Sequence, residues 1–571
     1  MSPTKQPETL IALFADRVAA DGDQPAIHVR REGVFVARSW NELAADARRA
    51  AAVLVGLGVR PGDRVIQVSR NRYEWIVLDL AIQMARAVHV PVHAALAGPQ
   101  IAYQILDSGA KVAVVSGPDQ AEKLAACADR LPDDLRVVSL DPCPQTIGAR
   151  PIDRLNELAD ETSEQDGRRI EQDALREARP GDLVTILYTS GTTGEPKGVM
   201  LSQRNLVSNV LATIEVMAPR ADDVKLNWLP LSHIFARTCD LYLWIAGGGQ
   251  MALSASPDVV IEDCQAVRPT VVTGVPYFWE KVYRAVTEKG GAQPAEALRA
   301  AFGGRLRLGC SGGAALPDHV AEFYLANGIT LMQGYGLTES SPVISFCPTD
   351  RVKVGTVGPA IPGVEIRIAD DGEILTRGPH VMLGYWNRPE ATAEAIRDGW
   401  LHTGDLGSLD EDGYLSITGR KKELIVTAGG KNIAPVYLEA LLTADPLIAQ
   451  AVVIGDGRKF LSALIVPEPE ALKAEIVRRA IPVRSPADAL VHPDVLALYE
   501  ERIAARLADV SRYEQVCKFT LLDRGFSIES GELTPTLKLR RATIETNLSD
   551  PIEAMYADEE RRAGASGGTA E

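Results

Sequence analysis

The sequence predicts an α/β protein: a large N-terminal domain of parallel-type α/β sheets with a β-rich subdomain, then a small C-terminal α+β domain. Three observations carry that expectation. Short Val/Ile-rich runs alternate with Ala/Leu/Arg-rich helical patterns through the first part of the chain. Between Gly355 and Gly419 the texture changes to short strands separated by Gly-Asp and Asp-Gly turns. The length, 571 residues, supplies about three or four core-sized units at roughly 150 residues each.

Taken in order, RVIQVS (64–69), KVAVVSG (111–117) and RVVSL (136–140) read as buried strands, and WNELAADARRAAAVLVGLG reads as a helix before them. GVEIRIADDGEILTRG and GSLDEDGYLSITG read as antiparallel hairpins. At GRKKE (419–423) the β-rich stretch gives way to a charged, turn-prone link. The expected domains are therefore 1–421, 422–548 and a disordered tail, 549–571, that ends in Gly, Ala and Ser.

Composition narrows the function classes. A net charge of -16 disfavours a nucleic-acid partner, because phosphate backbones demand clustered Lys and Arg. Anionic ligands must be held by local donors instead of a global field. The seven cysteines are scattered without a CxxC pair, so reduced buried thiols are expected, not a zinc site or disulfide framework. The N-terminus lacks a signal-peptide apolar core. The apolar stretch from Trp75 to Ala95 is interrupted by Asp79, Arg86, His89 and His93, so no membrane span is expected. A soluble, cytoplasmic protein is the expectation, with room left for weak peripheral membrane association.

The strongest chemical signal is LVTILYTSGTTGEPKGVMLSQRNL (183–206). A β run ends at Tyr188, a Ser/Thr/Gly-rich turn leads to Lys197, and a helix is expected from Ser202. Gly191, Gly194 and Gly198 permit close backbone approach to a ligand, Thr189, Ser190, Thr192 and Thr193 add hydroxyls, and Lys197 adds a cation. Such a loop suits a polyphosphate. It is not a Walker A loop, because Pro196 precedes Lys197 and Gly198 follows it.

YTSGTTGEPKG resembles the phosphate-loop signature of the adenylate-forming superfamily, which holds acyl-CoA synthetases, luciferases and peptide-synthetase adenylation domains. Further motifs of that superfamily follow in order: LPLSHIF (229–235), SGGAALP (311–317), QGYGLTESSP (333–342), GWLHTGDLG (399–407), GRKKELIVTAGGKNIAP (419–435) and GELTPTLKLRR (531–541). The texture is most similar to that of bacterial long-chain fatty acyl-CoA synthetases.

The resemblance implies a role for each matching residue. Glu339, with Thr189, matches the magnesium ligands, as hard oxygen donors should. Ser190 to Gly194 and Lys197 match the phosphate loop. Gly312, Gly313, Ala314, Gln333, Gly334 and Tyr335 match the adenine surface, where small residues would let a flat base lie against backbone. Thr338 matches an α-phosphate contact, and Asp405 and Arg420 match ribose contacts. His233 matches a residue near the reacting carboxylate, and Trp244 offers an apolar wall for the acyl pocket. Lys538 matches the catalytic lysine of the small domain and Lys422 its hinge. Gly429, Gly430 and Lys431 match the coenzyme A loop.

The implied reaction uses ATP, Mg²⁺ and coenzyme A: a carboxylic acid is activated as acyl-AMP with release of pyrophosphate, then transferred to the thiol. The small domain is expected to be mobile, rotating between the two steps. The resemblance to long-chain members implies a medium- or long-chain fatty acid as substrate, with tunnel depth setting the chain length, because each buried CH₂ contributes about 0.8 kcal/mol. Two alternatives stay open: a ligase that loads a carrier protein, and a ligase for an aryl or short-chain acid. Oligomeric state is not legible.

Overall fold

The computed structural model describes residues 6–143, 146–189, 195–254, 256–288, 294–429, 431–527, 529–534 and 539–566. Several sequence-predicted site residues therefore lie outside the described residues: Ser190, Gly191, Thr192, Thr193, Gly194, Gly430 and Lys538.

Two large sheets dominate the N-terminal part. In the nine-stranded sheet, Arg64–Ser69 lies between Val88–His93 and Val112–Val115, and both pairings are parallel. Arg136–Ser139 continues the parallel set. These strands bury both faces, as crossover α/β sheets do. Val112 and Val114 enter one core, while Ala113 and Val115 enter another. The larger core also takes residues from the second, eight-stranded sheet, among them Ile27, Leu226 and Met251. The connecting helix Trp40–Gly56 starts at a capping box, with Ser39 and Glu42 each bonded to the other's backbone N–H.

One strand falls outside the sequence expectation. The segment after the phosphate loop forms strand Lys197–Ser202, antiparallel to Leu183–Thr189, with Lys197 opposite Thr189. Ser202 closes that strand and caps the helix Gln203–Met217, so the helix begins one residue later than expected. A two-residue strand, Gly384–Tyr385, pairs with the outer edge of Lys197–Ser202.

The chain divides into two compact units along a non-linear cut. One comprises residues 1–367, 375–403 and 409–415; the other comprises 368–374, 404–408 and 416–571. The second unit contains a three-stranded sheet of Ile448–Ile454, Leu461–Pro467 and Val516–Leu521. Its residues alternate between two cores: Ala451, Val453, Ala463 and Ile465 on one face, Val452, Ile454, Leu464 and Val466 on the other.

The expected tail boundary needs correction. Beyond 548 the chain continues as helix Ser549–Ser566, and Ile552, Met555 and Tyr556 are buried against that second face. Their spacing of three and four places them on one stripe. The Tyr556 hydroxyl accepts from the Ser462 hydroxyl at 2.8 Å and donates to the Ile454 carbonyl at 3.2 Å. All seven cysteines are free thiols. Among the described residues no helix is long and apolar enough to cross a membrane.

Two glycines near the motifs separate packing from backbone freedom. A Cβ on Gly336 would lie 1.7 Å from the Pro342 carbonyl oxygen, whereas Gly313, at φ +88°, faces open space. Gly336→Ala is therefore expected to destabilise the protein by about 3 kcal/mol or more, and Gly313→Ala by only about 1–2 kcal/mol. Denaturant midpoints of the two variants, compared with the parent, check this ordering.

Candidate active site

The polar groups of the N-terminal unit are organised around the segment that follows LPLSHIF. Residues Arg237–Tyr242 form a π-helical turn, a form concentrated at functional positions. Arg237 has no exposed surface. Its guanidinium donates to Asp79 at 2.5 Å and to the Thr185 hydroxyl at 2.7 Å, with His89 Nδ1 at 2.9 Å. The Tyr242 hydroxyl also donates to Asp79, at 3.0 Å. Burial and the neighbouring Arg237 cation push His89 down to about 4, so it is neutral at physiological pH. The Arg237 charge conversely holds the Asp79 carboxyl below its ordinary range despite burial.

The same turn supplies Asp240, which forms a buried ion pair with Lys225 at 3.0 Å and accepts from Asn227 at 2.9 Å. Asn227 in turn accepts from Asn71 at 2.8 Å. Asn71 clamps the LPLSHIF turn from both sides, donating to the Leu229 carbonyl at 2.7 Å and accepting from the Leu231 N–H at 2.9 Å. His233, at the end of that turn, accepts the Phe235 N–H through Nδ1 at 3.2 Å and so caps the following helical turn.

Glu339 is set by its neighbours on two segments. The helix Gln203–Met217 holds the chain beyond it: Asn209 donates to the Val343 carbonyl at 2.7 Å and accepts its N–H at 3.2 Å. The Glu339 carbonyl accepts from the Met382 N–H at 2.8 Å. The Tyr385 hydroxyl donates to Glu339 Oε1 at 2.8 Å. The Lys197 ammonium lies 5.1 Å from the centroid of the Tyr385 ring. One tyrosine thus brings together the two residues expected to handle phosphate and magnesium. Burial, reinforced by Glu339, raises the Tyr385 pKa, so its hydroxyl stays protonated and donates.

Past the phosphate loop, Tyr103 donates to the Pro196 carbonyl at 3.1 Å, and Arg388 reaches the Tyr103 hydroxyl at 3.3 Å. Glu339 and the Thr189 hydroxyl are hard oxygen donors that fit Mg²⁺, an ion usually held by one or two carboxylates together with substrate phosphates and water. Among the described residues no group of three or more His, Cys, Asp and Glu side chains could hold a metal ion.

The structure gives the expected adenine surface a different internal logic. A Cβ on Gly312 would meet the Phe235 ring at 2.9 Å, and one on Gly334 would meet Phe346 at 2.5 Å. Those two glycines admit rings of the protein itself. Gln333 is buried, and its Oε1 accepts from the Leu316 N–H at 3.3 Å, which fixes the SGGAALP turn. Tyr335 is buried, Ala314 is exposed, and Thr338 opens the short turn Thr338–Ser340 half-buried. Trp244 is a core residue, stacked on Trp40 at 4.3 Å between ring centroids.

In the second unit, Asp405 is buried and accepts from Arg420 Nε at 2.8 Å, so the two expected ribose contacts are partners of one another. Lys421 is bound to Asp371 at 2.5 Å and Glu373 at 3.2 Å, while Lys422 is exposed in the same turn. The loop from Thr427 to Lys431 is closed by a bond from the Thr427 N–H to the Lys431 carbonyl at 3.0 Å. Gly429 is exposed at its tip, and the Lys431 ammonium sits 5.4 Å from the Tyr513 ring centroid.

The AMP-binding enzyme family matches residues 14–386, and the AMP-binding enzyme C-terminal domain matches residues 422–560. The chain belongs to the AMP-binding enzyme family. A long-chain-fatty-acid–CoA ligase of Mycobacterium tuberculosis, FadD15, is 37% identical over 97% of this chain and 98% of its own length. The long-chain-fatty-acid–CoA ligase ACSBG1 of Bos taurus is 29% identical over 99% of this chain and 87% of its own. Among solved structures, ATP-bound MatB from Rhodopseudomonas palustris superposes with a TM-score of 0.73 at 27% identity, covering 95% of this chain and 99% of that one.

For this AMP-binding enzyme, sequence reasoning named residues that carry a motif and missed those that hold them. Tyr385, Asn71, Asp79 and Arg237 were not singled out. Arg237 follows HIFA directly, and Asp79 and His89 interrupt an apolar stretch. Ionisable residues inside an apolar run are the signal that could have found them, because such groups need buried partners.

Asp79→Ala strands the Arg237 charge and is expected to destabilise the protein by about 3–5 kcal/mol, part of which Asp79→Ala/Arg237→Met recovers; urea denaturation of both variants measures this. Glu532, in GELTPTLKLRR, is buried and accepts both Arg524 amino groups at 2.7 Å, the Ser530 hydroxyl at 2.6 Å and Asn547 at 3.1 Å. The Arg524 bonds hold its carboxyl at about 2. A depressed carboxyl stabilises the fold above its unfolded value, and this contribution is lost as pH falls from about 4.5 through about 2. Glu532→Gln should lower stability at neutral pH by about 2 kcal/mol and flatten its decline over that acid window, as denaturant midpoints across pH would record.

Proposed function

We propose that this AMP-binding enzyme is an AMP-forming acyl-CoA synthetase that joins a medium- or long-chain fatty acid to coenzyme A by way of an acyl-adenylate. The observation that carries the reading is the approach of Lys197 and Glu339 to a single tyrosine, on a chain 37% identical over nearly its full length to a long-chain-fatty-acid–CoA ligase.

In the first step the carboxylate attacks the α-phosphorus of ATP and pyrophosphate leaves. Lys197 supplies a fixed cation to the departing phosphates, and fixed charge stabilises developing charge without reorganisation. Glu339 and Thr189 would hold Mg²⁺, which when bound neutralises polyphosphate oxygens. Thr338 and Lys538 would hold the oxygens at the reacting phosphorus, bringing together two anions that otherwise repel. Gly312, Gly313, Ala314, Gln333, Gly334 and Tyr335 would frame the adenine, and Asp405 with Arg420 the ribose. His233, oriented by its own helix-cap bond, would border the carboxylate end of the acid. Trp244 would contribute to the acyl pocket through the core stack it makes with Trp40.

In the second step the coenzyme A thiolate attacks the acyl carbon and AMP leaves. Gly429, Gly430 and Lys431 would line the approach of the thiol, and Lys422 would be the hinge of a small domain that begins there. The cytoplasm, where ATP and coenzyme A are abundant, is the proposed compartment.

Acids from acetate to arachidate, each supplied with ATP and with or without coenzyme A, test the reading through their products. AMP and pyrophosphate, never ADP, are expected, with the fastest turnover for medium to long chains and thioester formed only with coenzyme A. Accumulation of acyl-AMP unaffected by coenzyme A would favour a carrier-protein acceptor. Lys538→Ala should lose acid-dependent ATP–pyrophosphate exchange yet retain thioester formation from supplied acyl-AMP. Equal loss of both half-reactions would refute that division of labour.

A further inference from the structure

We infer that Tyr385 is a positioning residue that fixes the metal-binding carboxylate and the phosphate-loop lysine relative to one another. The inference rests on the proposed roles of Glu339 and Lys197.

Tyr385 has little freedom of its own. Its strand pairs with Lys197–Ser202, with Tyr385 opposite Val199 and Gly384 opposite Met200. Its N–H donates to the Thr392 hydroxyl at 2.9 Å. The next residue, Trp386, donates its backbone N–H to the Gly198 carbonyl at 2.7 Å and its indole N–H to the Asp107 carbonyl at 2.8 Å. A Cβ on Gly384 would meet the Thr392 side chain at 2.6 Å, so glycine lets that hydroxyl close on the strand. The ring is therefore held by backbone pairing on one side and side-chain bonds on the other.

From that fixed base the ring works in two ways. Its edge presents a hydroxyl to Glu339 Oε1 at 2.8 Å, which selects one carboxylate orientation. Its ring lies 5.1 Å from the Lys197 ammonium, within cation–π range. Glu339 and Lys197 come from segments far apart in sequence, and both reach Tyr385. Hydrogen bonds to a ligating carboxylate from outside the coordination sphere commonly change metal affinity by about 10–100-fold. A flexible lysine held over a ring also loses less rotamer freedom when phosphate arrives.

The two contacts separate by substitution. Tyr385→Phe deletes the hydroxyl and keeps the ring; Tyr385→Leu deletes both. Tyr385→Phe is expected to raise the Mg²⁺ concentration for half-maximal pyrophosphate release about tenfold, with kcat restored at saturating Mg²⁺ and the KM for the acid unchanged. Calorimetry of MgATP binding, without acid or coenzyme A, should show the same weakening at limiting Mg²⁺ and near-parent affinity at saturating Mg²⁺. Tyr385→Leu should bind MgATP about tenfold more weakly even at saturating Mg²⁺, because Lys197 loses its seat.

A parent-like Mg²⁺ titration of Tyr385→Phe in an active enzyme overturns the inference alone. So does a loss in both variants that tracks only a fall in melting temperature and raises the KM for acid and ATP alike. A parent protein that forms no AMP and binds no MgATP overturns it together with the proposed function.

Discussion

The rest of the N-terminal unit depends on one buried ion pair, Arg237 with Asp79. Taking two charges out of water costs several kcal/mol per ion, and only close geometry with further hydrogen bonds repays it. The geometry is close here, and Thr185, His89 and Tyr242 add hydrogen bonds to the two ions, while Arg237 Nε is buried without a partner among the described residues. The partners come from different places: helix Tyr73–Met84, strands Val88–His93 and Leu183–Thr189, and the π turn. His89 and Thr185 are register partners on adjacent parallel strands, so the guanidinium spans a strand pair. A slipped register would take Thr185 or His89 away from the buried guanidinium, and an unmade bond to a buried charge penalises the alternative more than it rewards the native pairing. Strand Leu183–Thr189 runs directly into the phosphate loop, and the π turn follows His233. The two ends of the proposed chemistry therefore share one anchor.

The π turn makes that sharing possible. Arg237 and Asp240 are three residues apart, a spacing that in a regular α-helix puts both on one face. A π turn contains more residues per turn. Arg237 reaches across to the nine-stranded sheet while Asp240 meets Lys225 on the eight-stranded one. The nine-stranded sheet is thus tied to this short segment through Thr185 and His89, and the eight-stranded one through the ion pair with Lys225. Asn71, through Asn227, extends the second network to the LPLSHIF turn. Motif residues and the scaffold are connected by buried polar groups as much as by apolar packing.

The α/β character and the strands RVIQVS and RVVSL were legible, because a sheet buried on both faces must be written in consecutive apolar residues. Strand Lys197–Ser202 was not legible. Its sequence, KGVMLS, is short and sits between a glycine-rich turn and a helix cap, so nothing local separates it from helix entry. The helix beyond Ser549 was masked by composition, since three apolar residues suffice to dock it and the charged remainder reads as tail. At the site, residue types were legible and partnerships were not. Glu339 and Lys197 stand in recognisable motifs, but Tyr385 acquires its importance only from a two-residue strand whose pairing is long-range. Glycine was ambiguous in the same manner. Gly312 and Gly334 make room for Phe235 and Phe346, while Gly313 uses its positive φ, and sequence cannot tell accommodation of a protein ring from accommodation of a ligand.

These contrasts bear on how the two proposed half-reactions would be supported. Forming an acyl-adenylate requires charges held at fixed positions, since a cation that must first be ordered gives up part of its stabilisation. The residues assigned to that step have such restraints: Lys197 over a ring pinned by strand pairing, Glu339 bonded to it, and His233 fixed by its own cap. Passing the acyl group to a long, flexible thiol sets the opposite requirement, an open path whose walls need not distinguish many contacts. The loop proposed for that step is closed at its base by the bond from Thr427 to Lys431, and Gly429 is exposed in it. Lys431 is its one ordered cation among the described residues, steadied by Tyr513. Rigid charge in one place and an open glycine loop in another are what the two steps demand on physical grounds, and a substitution that stiffens the loop should therefore slow thiol transfer before it touches adenylation.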